Sequence, residues 1–465
     1  MFGHKLTPAI LGSVLAFLGT GCFANYTVIY NDGQAAMRSG QLPKADELFA
    51  SIPATADNYA DALAGRANVA STQGQYPKAV EFWKQAAKVS PGSYRKEKNR
   101  EYHRDYAKLL IASQLEIPGS PRGLFGVDNI LVAHTRQNTL VAFDVDSKKQ
   151  AWSRPLDKTT EAEWSRRVFA TGAIIGLDEV KTAERPTRLV AIEAKTGAER
   201  WVQPLYPIGS EMMITANETY VFISNRIRGS QNYEINTFDA KTGKPKWARP
   251  IDGRSGPITA SKGGIFAWTS NNSILGLNAE NGDPLFSLPM AIEHNQDQLV
   301  TDDRRVFLIG KDKTAYAFDA SDKKYDPPTK RILWTSPIDA NCGGPTSVAA
   351  VLDGKLIVPC AESVYALDAE TGKQHWKRDL AQNMGNGSKV APTLLGGLIA
   401  IKYGTNLVTL APVNGEIRWI FDSDGKNNLT DALPIEFRDH IVVGASDGND
   451  KFLTLSLTPA PAVPY

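Results

Sequence analysis

An aromatic ring returns every forty-odd residues through the last two thirds of this chain. The rings are Trp152, Trp201, Trp247, Phe286, Trp334, Trp376 and Trp419, separated by 49, 46, 39, 48, 42 and 43 residues. A single core with dispersed aromatics has no such period. A repeat of about 44 residues has room for four short strands and their turns, which is one blade of a propeller. The sequence around each ring supports this reading. Glu193, Thr196, Gly197 and Trp201 recur as Asp239, Thr242, Gly243 and Trp247, and again as Asp368, Thr371, Gly372 and Trp376. Weaker copies end at Trp152, Phe286, Trp334 and Trp419. The acidic residue can accept hydrogen bonds from turn amides, and the glycine supplies a positive φ. The ring then opens an outermost strand and packs against the neighbouring blade. Between rings lie three more apolar runs, for example 347–352, 355–360 and 363–368.

Seven rings are followed by a last triplet of runs, 432–437, 441–445 and 452–457. An eighth ring would fall near Pro464, so the last blade lacks its outer strand. One period before Trp152 lies the segment 109–117, whose end reads like the other outer strands. It is expected to complete the eighth blade and close the circle, leaving no open inner edge. The expectation is an all-β eight-bladed propeller over 113–465, preceded by a small all-α domain over 26–112.

That helical stretch holds two copies of one pattern. Gly40-Gln41-Leu42-Pro43-Lys44-Ala45 returns as Gly74-Gln75-Tyr76-Pro77-Lys78-Ala79, an offset of 34 residues. Phe49 corresponds to Trp83 and Ile52 to Ala86, with Gly33 in the first helix. At this period the pattern resembles the tetratricopeptide repeat. The resemblance implies paired helices with a concave groove for a peptide or helix. Residues 94–111 are expected to cap the stack, with little linker to the propeller.

The first residues read as an export signal. Lys5 precedes the apolar run 9–18, which at ten residues falls short of the about 20 needed to span a bilayer. Leu18-Gly19-Thr20-Gly21-Cys22 resembles a lipoprotein lipobox, with Leu18 one place further from the cysteine than usual. This implies lipidation of Cys22, and Phe23 after it implies retention at the outer membrane. The alternative is an ordinary signal cleaved after Ala24. In either case the mature chain is exported. Cys342 and Cys360 then form an even pair in an oxidising compartment and flank an expected hairpin, so they are read as one disulfide. The alternative is two buried thiols.

The ring-and-turn repeat resembles the tryptophan-docking repeat of the pyrroloquinoline-quinone-type propeller superfamily. Dehydrogenases of that superfamily hold a quinone and calcium, use a catalytic aspartate and carry an adjacent cysteine pair. This chain has no Cys-Cys pair, and its motif aspartates already have turn roles. The six histidines show no metal-ligand spacing, and neither a nucleophile elbow nor a phosphate loop occurs. The Gly-rich stretch 383–388 reads as a loop between blades. With 52 basic and 50 acidic residues the chain offers no footprint for nucleic acid. No catalytic, cofactor or metal residues are assigned. The nearest functional resemblance is to the BamB family of outer-membrane assembly factors, which are lipid-anchored propellers without catalysis. It implies a scaffold for envelope proteins or peptides, anchored to the membrane. The alternatives are a quinone-dependent dehydrogenase, or a degenerate cofactor-binding relative of one, and a carbohydrate-binding propeller.

Overall fold

The computed structural model describes residues 25–95, 99–156, 167–178, 187–205, 212–227, 230, 232–251, 255–290, 294–310, 312–338, 348–360, 362–380, 391–422, 428–430, 432–446 and 449–456. Cys22, Cys342 and the stretch 383–388 lie outside them. Contacts divide the chain into two units between Tyr94 and Arg95.

The first unit holds helices α1 (Tyr26–Arg38), α2 (Leu42–Ala50), α3 (Tyr59–Thr72), α4 (Tyr76–Val89) and the short α5 (Pro91–Tyr94). The repeated hexapeptide is a helix stop followed by a helix start. Gly40 and Gly74 take φ of 75° and 72° just past the ends of α1 and α3. Pro43 and Pro77 then sit in the first turns of α2 and α4, where their missing N–H costs nothing. Ala45 and Ala79 close each repeat, both fully buried. Phe49 explains the two helix glycines. A Cβ added at Gly33 or Gly65 would come within 2.7 Å of its ring, so the phenyl is wedged between α1 and α3. Arg66 reaches back from α3 to Asp46 on α2, 2.8 Å, with its guanidinium 4.3 Å over the Phe82 ring. The hydroxyl of Tyr94 donates to Asp61 of α3 at 2.5 Å, tying α5 to the stack.

The second unit is an eight-bladed propeller. Seven blades are four-stranded antiparallel sheets in simple up-and-down order. Blade 3 is typical, with strands Met212–Ala216, Tyr220–Arg226, Tyr233–Asp239 and Pro245–Ile251. The eighth differs: its outermost strand, Ile111–Glu116, comes from the start of the unit and pairs antiparallel with Asp450–Ser456. Ser113 and Thr454 hydroxyls meet across this seam at 2.7 Å. There is no single core. Among the described residues eight buried apolar clusters each straddle two consecutive blades. The one joining the last blade to the first includes Phe452 edge-on to Phe143, with centroids 5.7 Å apart.

The segment expected to cap the helical stack is divided between the units. Pro91–Tyr94 belongs to the helices, whereas α6 (Arg100–Leu110) belongs with the propeller and runs directly into the closing strand. The physical reason is its apolar face: Ala107 and Leu110 are buried in the cluster of blades 7 and 8, against Trp419 and Phe421. No described helix is long and apolar enough to cross a membrane.

Candidate interaction surfaces

Five of the seven ring residues occupy one recurring joint. Trp201 of blade 2 donates from Nε1 to Ala240 O in the turn of blade 3, 3.1 Å. Its six-membered ring lies under Gly243, where an added Cβ would come within 2.5 Å at a φ of 71°. Only glycine can hold that turn and leave room for the indole. Trp152, Trp247, Trp334 and Trp376 repeat the joint on Lys195 O, Ala279 O, Ala369 O and Pro412 O, beneath Gly197, Gly282, Gly372 and Gly415. The motif acids hold the turns. Asp239 Oδ1 accepts from Lys241 N, Thr242 N and Thr242 Oγ1 at 3.1, 2.8 and 2.8 Å, and Asp368 does the same for Glu370 and Thr371. Burial opposes ionisation of both, but these hydrogen bonds win and hold each carboxyl below its ordinary value. In blade 2, Glu193 instead pairs with Arg200 at 2.6 Å.

Three joints depart from the pattern, each for a visible reason. Phe286 of blade 4 faces no turn glycine. Blade 5 carries a longer connection between Asp319 and Ile332, and Arg331 lies over the Phe286 ring at 4.0 Å. Arg331 is 4% exposed. It donates to Asp319 O and Ser321 O at 2.7 and 2.8 Å, and to Lys323 O. Trp419 of blade 7 meets α6 in place of a turn. At the N-terminus of that helix, Arg100 pairs with Asp422 at 3.2 Å, and burial raises the Asp422 carboxyl despite the guanidinium. The closing strand brings no indole to the turn of blade 1. Lys148 there stands in the glycine's place with φ 56°, and Arg438 of blade 8 grips Asp146 with two hydrogen bonds, 2.6 and 3.1 Å.

Cys360 is buried and disulfide-bonded, at the end of a strand in blade 6. Its carbonyl accepts from the fully buried Tyr403 hydroxyl of blade 7, 3.1 Å, and burial pushes that phenol far up. Arg331 and Tyr403 are joint residues that the repeat pattern does not reveal. The only sequence signal for Arg331 is the Phe at position 286 together with the long spacing to Trp334.

Among the described residues no group of three His, Cys, Asp or Glu is placed to hold a metal ion. The turn tips are solvent-facing and varied: Lys195, Lys241, Glu280 and Glu370 in four blades, and in blade 7 Val413, which is 83% exposed. Phe169, 42% exposed on the innermost strand of blade 2, stacks on Phe125 of blade 1 with centroids 6.2 Å apart. The arrangement spends its aromatic and acidic motif residues on joints and leaves a rigid frame whose variable positions face outward.

Fold and joints together define a class, the pyrroloquinoline-quinone-type eight-bladed propeller. The chain matches the family described as outer membrane protein assembly factor BamB over residues 82–203, 112–287, 231–324 and 323–451. These matches together span well over half of the chain, and it belongs to that family. A curated relative of that name from Burkholderia pseudomallei is 25% identical over 182 residues, 36% of this chain and 45% of the relative, so the match spans less than half of that relative's length. Two solved structures share the fold alone. The quinohemoprotein alcohol dehydrogenase of Comamonas testosteroni is 12% identical over 80% of this chain and 81% of its own, TM-score 0.51. The computationally designed Ika8 protein is 14% identical over 74% and 99%, TM-score 0.55.

Proposed function

We propose that this chain is a non-catalytic scaffold in the bacterial envelope, serving the assembly of outer-membrane proteins. The observation that carries the reading is the family match along residues 82–451. The joints agree with it, since Asp144, Asp239, Asp319 and Asp368 are engaged in turn hydrogen bonds and are not gathered in one site. In this reading the chain is exported, lipidated at Cys22 and held at the outer membrane facing the periplasm. The α1–α4 unit is a tetratricopeptide-like module that takes a peptide or helix, and the propeller rim takes protein partners. Cys360 pairs with Cys342.

Crosslinking in intact membranes tests the scaffold: captured proteins should be components or clients of β-barrel assembly. Turnover of alcohols or aldoses after reconstitution with pyrroloquinoline quinone and calcium would overturn it in favour of a dehydrogenase. The anchor has its own test. Intact mass should show diacylglycerol, and Cys22→Ala should free the protein from membranes; unchanged retention refutes the anchor. Non-reducing peptide mapping should recover residues 342 and 360 in one linked pair.

A further inference from the structure

The outer rim of blade 3 has an unbalanced charge. Its turn and outermost strand carry Lys241, Lys244, Lys246 and Arg249, with no acidic residue between 240 and 251. Several cations on other rims are matched. Lys195 pairs with Asp128, Arg154 with Glu199, Arg200 with Glu193, Arg418 with Glu416 and Arg438 with Asp146. Lys241, Lys244 and Arg249 have no ion pair among the described residues. Lys246 lies 5.9 Å over the Tyr220 ring and near Asp239, a carboxylate that the turn amides and Thr242 already engage. Lys241, Lys244 and Lys246 are exposed and Arg249 is half-exposed. Lys241 and Lys244 lie in and beside the turn, and Lys246 and Arg249 follow on the outermost strand, so the four make a basic stripe along the turn and outer edge of the blade.

We infer that this stripe rests on anionic phospholipid headgroups. The inference rests on the envelope location proposed above. Charge complementarity fixes the sign of the partner, and the form of the stripe fixes its kind. The cations are spread along an outer edge, on flexible stems, with no buried polar residue among them. A fluid array of phosphates suits such a surface, whereas a folded acidic protein would be read by a shaped and desolvated patch. Pro245 and Pro250 also mark this strand as a solvent edge that does not recruit another strand.

The test uses the full-length mature chain with Cys22→Ser, so that no acyl chain contributes. Co-sedimentation is measured with vesicles of phosphatidylcholine alone and of phosphatidylcholine with phosphatidylglycerol. Binding is expected only to the anionic vesicles and should vanish in high salt. Each cation is worth roughly a factor of five at such a surface, so Lys241→Gln, Lys244→Gln and Arg249→Gln together should weaken binding by about a hundredfold. A thermal melt confirms that the triple variant is folded, and Glu280→Gln in the next blade should bind as the parent does. Equal binding to neutral vesicles, or undiminished binding of the triple variant, overturns the assignment. If the parent ignores anionic vesicles while the triple variant loses a crosslinked protein, the stripe reads an acidic protein and the lipid assignment is overturned. In that case the scaffold reading survives, because capture by crosslinking is scored separately.

Discussion

A single indole holds each ordinary joint, and the energy at stake is that of a buried aromatic with a satisfied N–H. Trp201→Ala removes the ring and leaves a cavity under Gly243. The propeller's urea transition should lose about 3–5 kcal/mol. Gly243→Ala attacks the same joint from the other side, combining a left-handed β-carbon with overpacking against the ring. It should cost about 2–4 kcal/mol, where an exposed glycine without a neighbour, such as Gly40, shows only the backbone part. Arg331 is a separate case. Lysine at that position keeps the charge but not the planar fork, so Arg331→Lys should loosen the connection between Asp319 and Ile332. Limited proteolysis should then cut within 320–331, which should resist in the parent; an unchanged digestion pattern would show that Arg331 does not hold the connection. The ring, the glycine and the turn acid were legible in the sequence because all three sit within a dozen residues and repeat. Arg331 was not, because its partners are three backbone carbonyls, which leave no trace in residue identity.

At the scale of elements, the period predicts the strands well and the helices only in part. The hexapeptide at 40 and 74 reads directly as stop and start, since glycine and proline act locally. The fate of 94–111 was not readable, because an amphipathic helix shows that it has an apolar face and not which surface will cover it. Here Ala107 and Leu110 found Trp419, the ring whose following turn is missing. Leu110→Asp places a charge in that cluster. Hydrogen exchange should speed up in Ile417–Phe421 and in the closing strand while Tyr233–Asp239 of blade 3 keeps its protection. Uniform acceleration around the circle would mean that the joint is not local.

Across the whole molecule, Asp239, Asp319 and Asp368 share one electrostatic condition. Burial works against their ionisation, yet hydrogen bonds from the turns hold all three below the usual carboxylate value. A lowered native value adds stability that is fully present above the unfolded value, about 3.9, and is lost as pH falls through the native one. Melting temperature should therefore be flat through mildly acidic pH on their account and drop below about pH 4; the asparagine variants at all three sites should flatten that drop. The eight interblade clusters make the circle stiff, but its seam is of another kind. The strand that shuts it is also the only covalent road out toward the amino terminus. Any tension on the upstream chain thus enters the propeller through α6 and then Ile111–Glu116, like a zip pulled from its end. Within the propeller, blades 7, 8 and 1 are where such a load would be felt first.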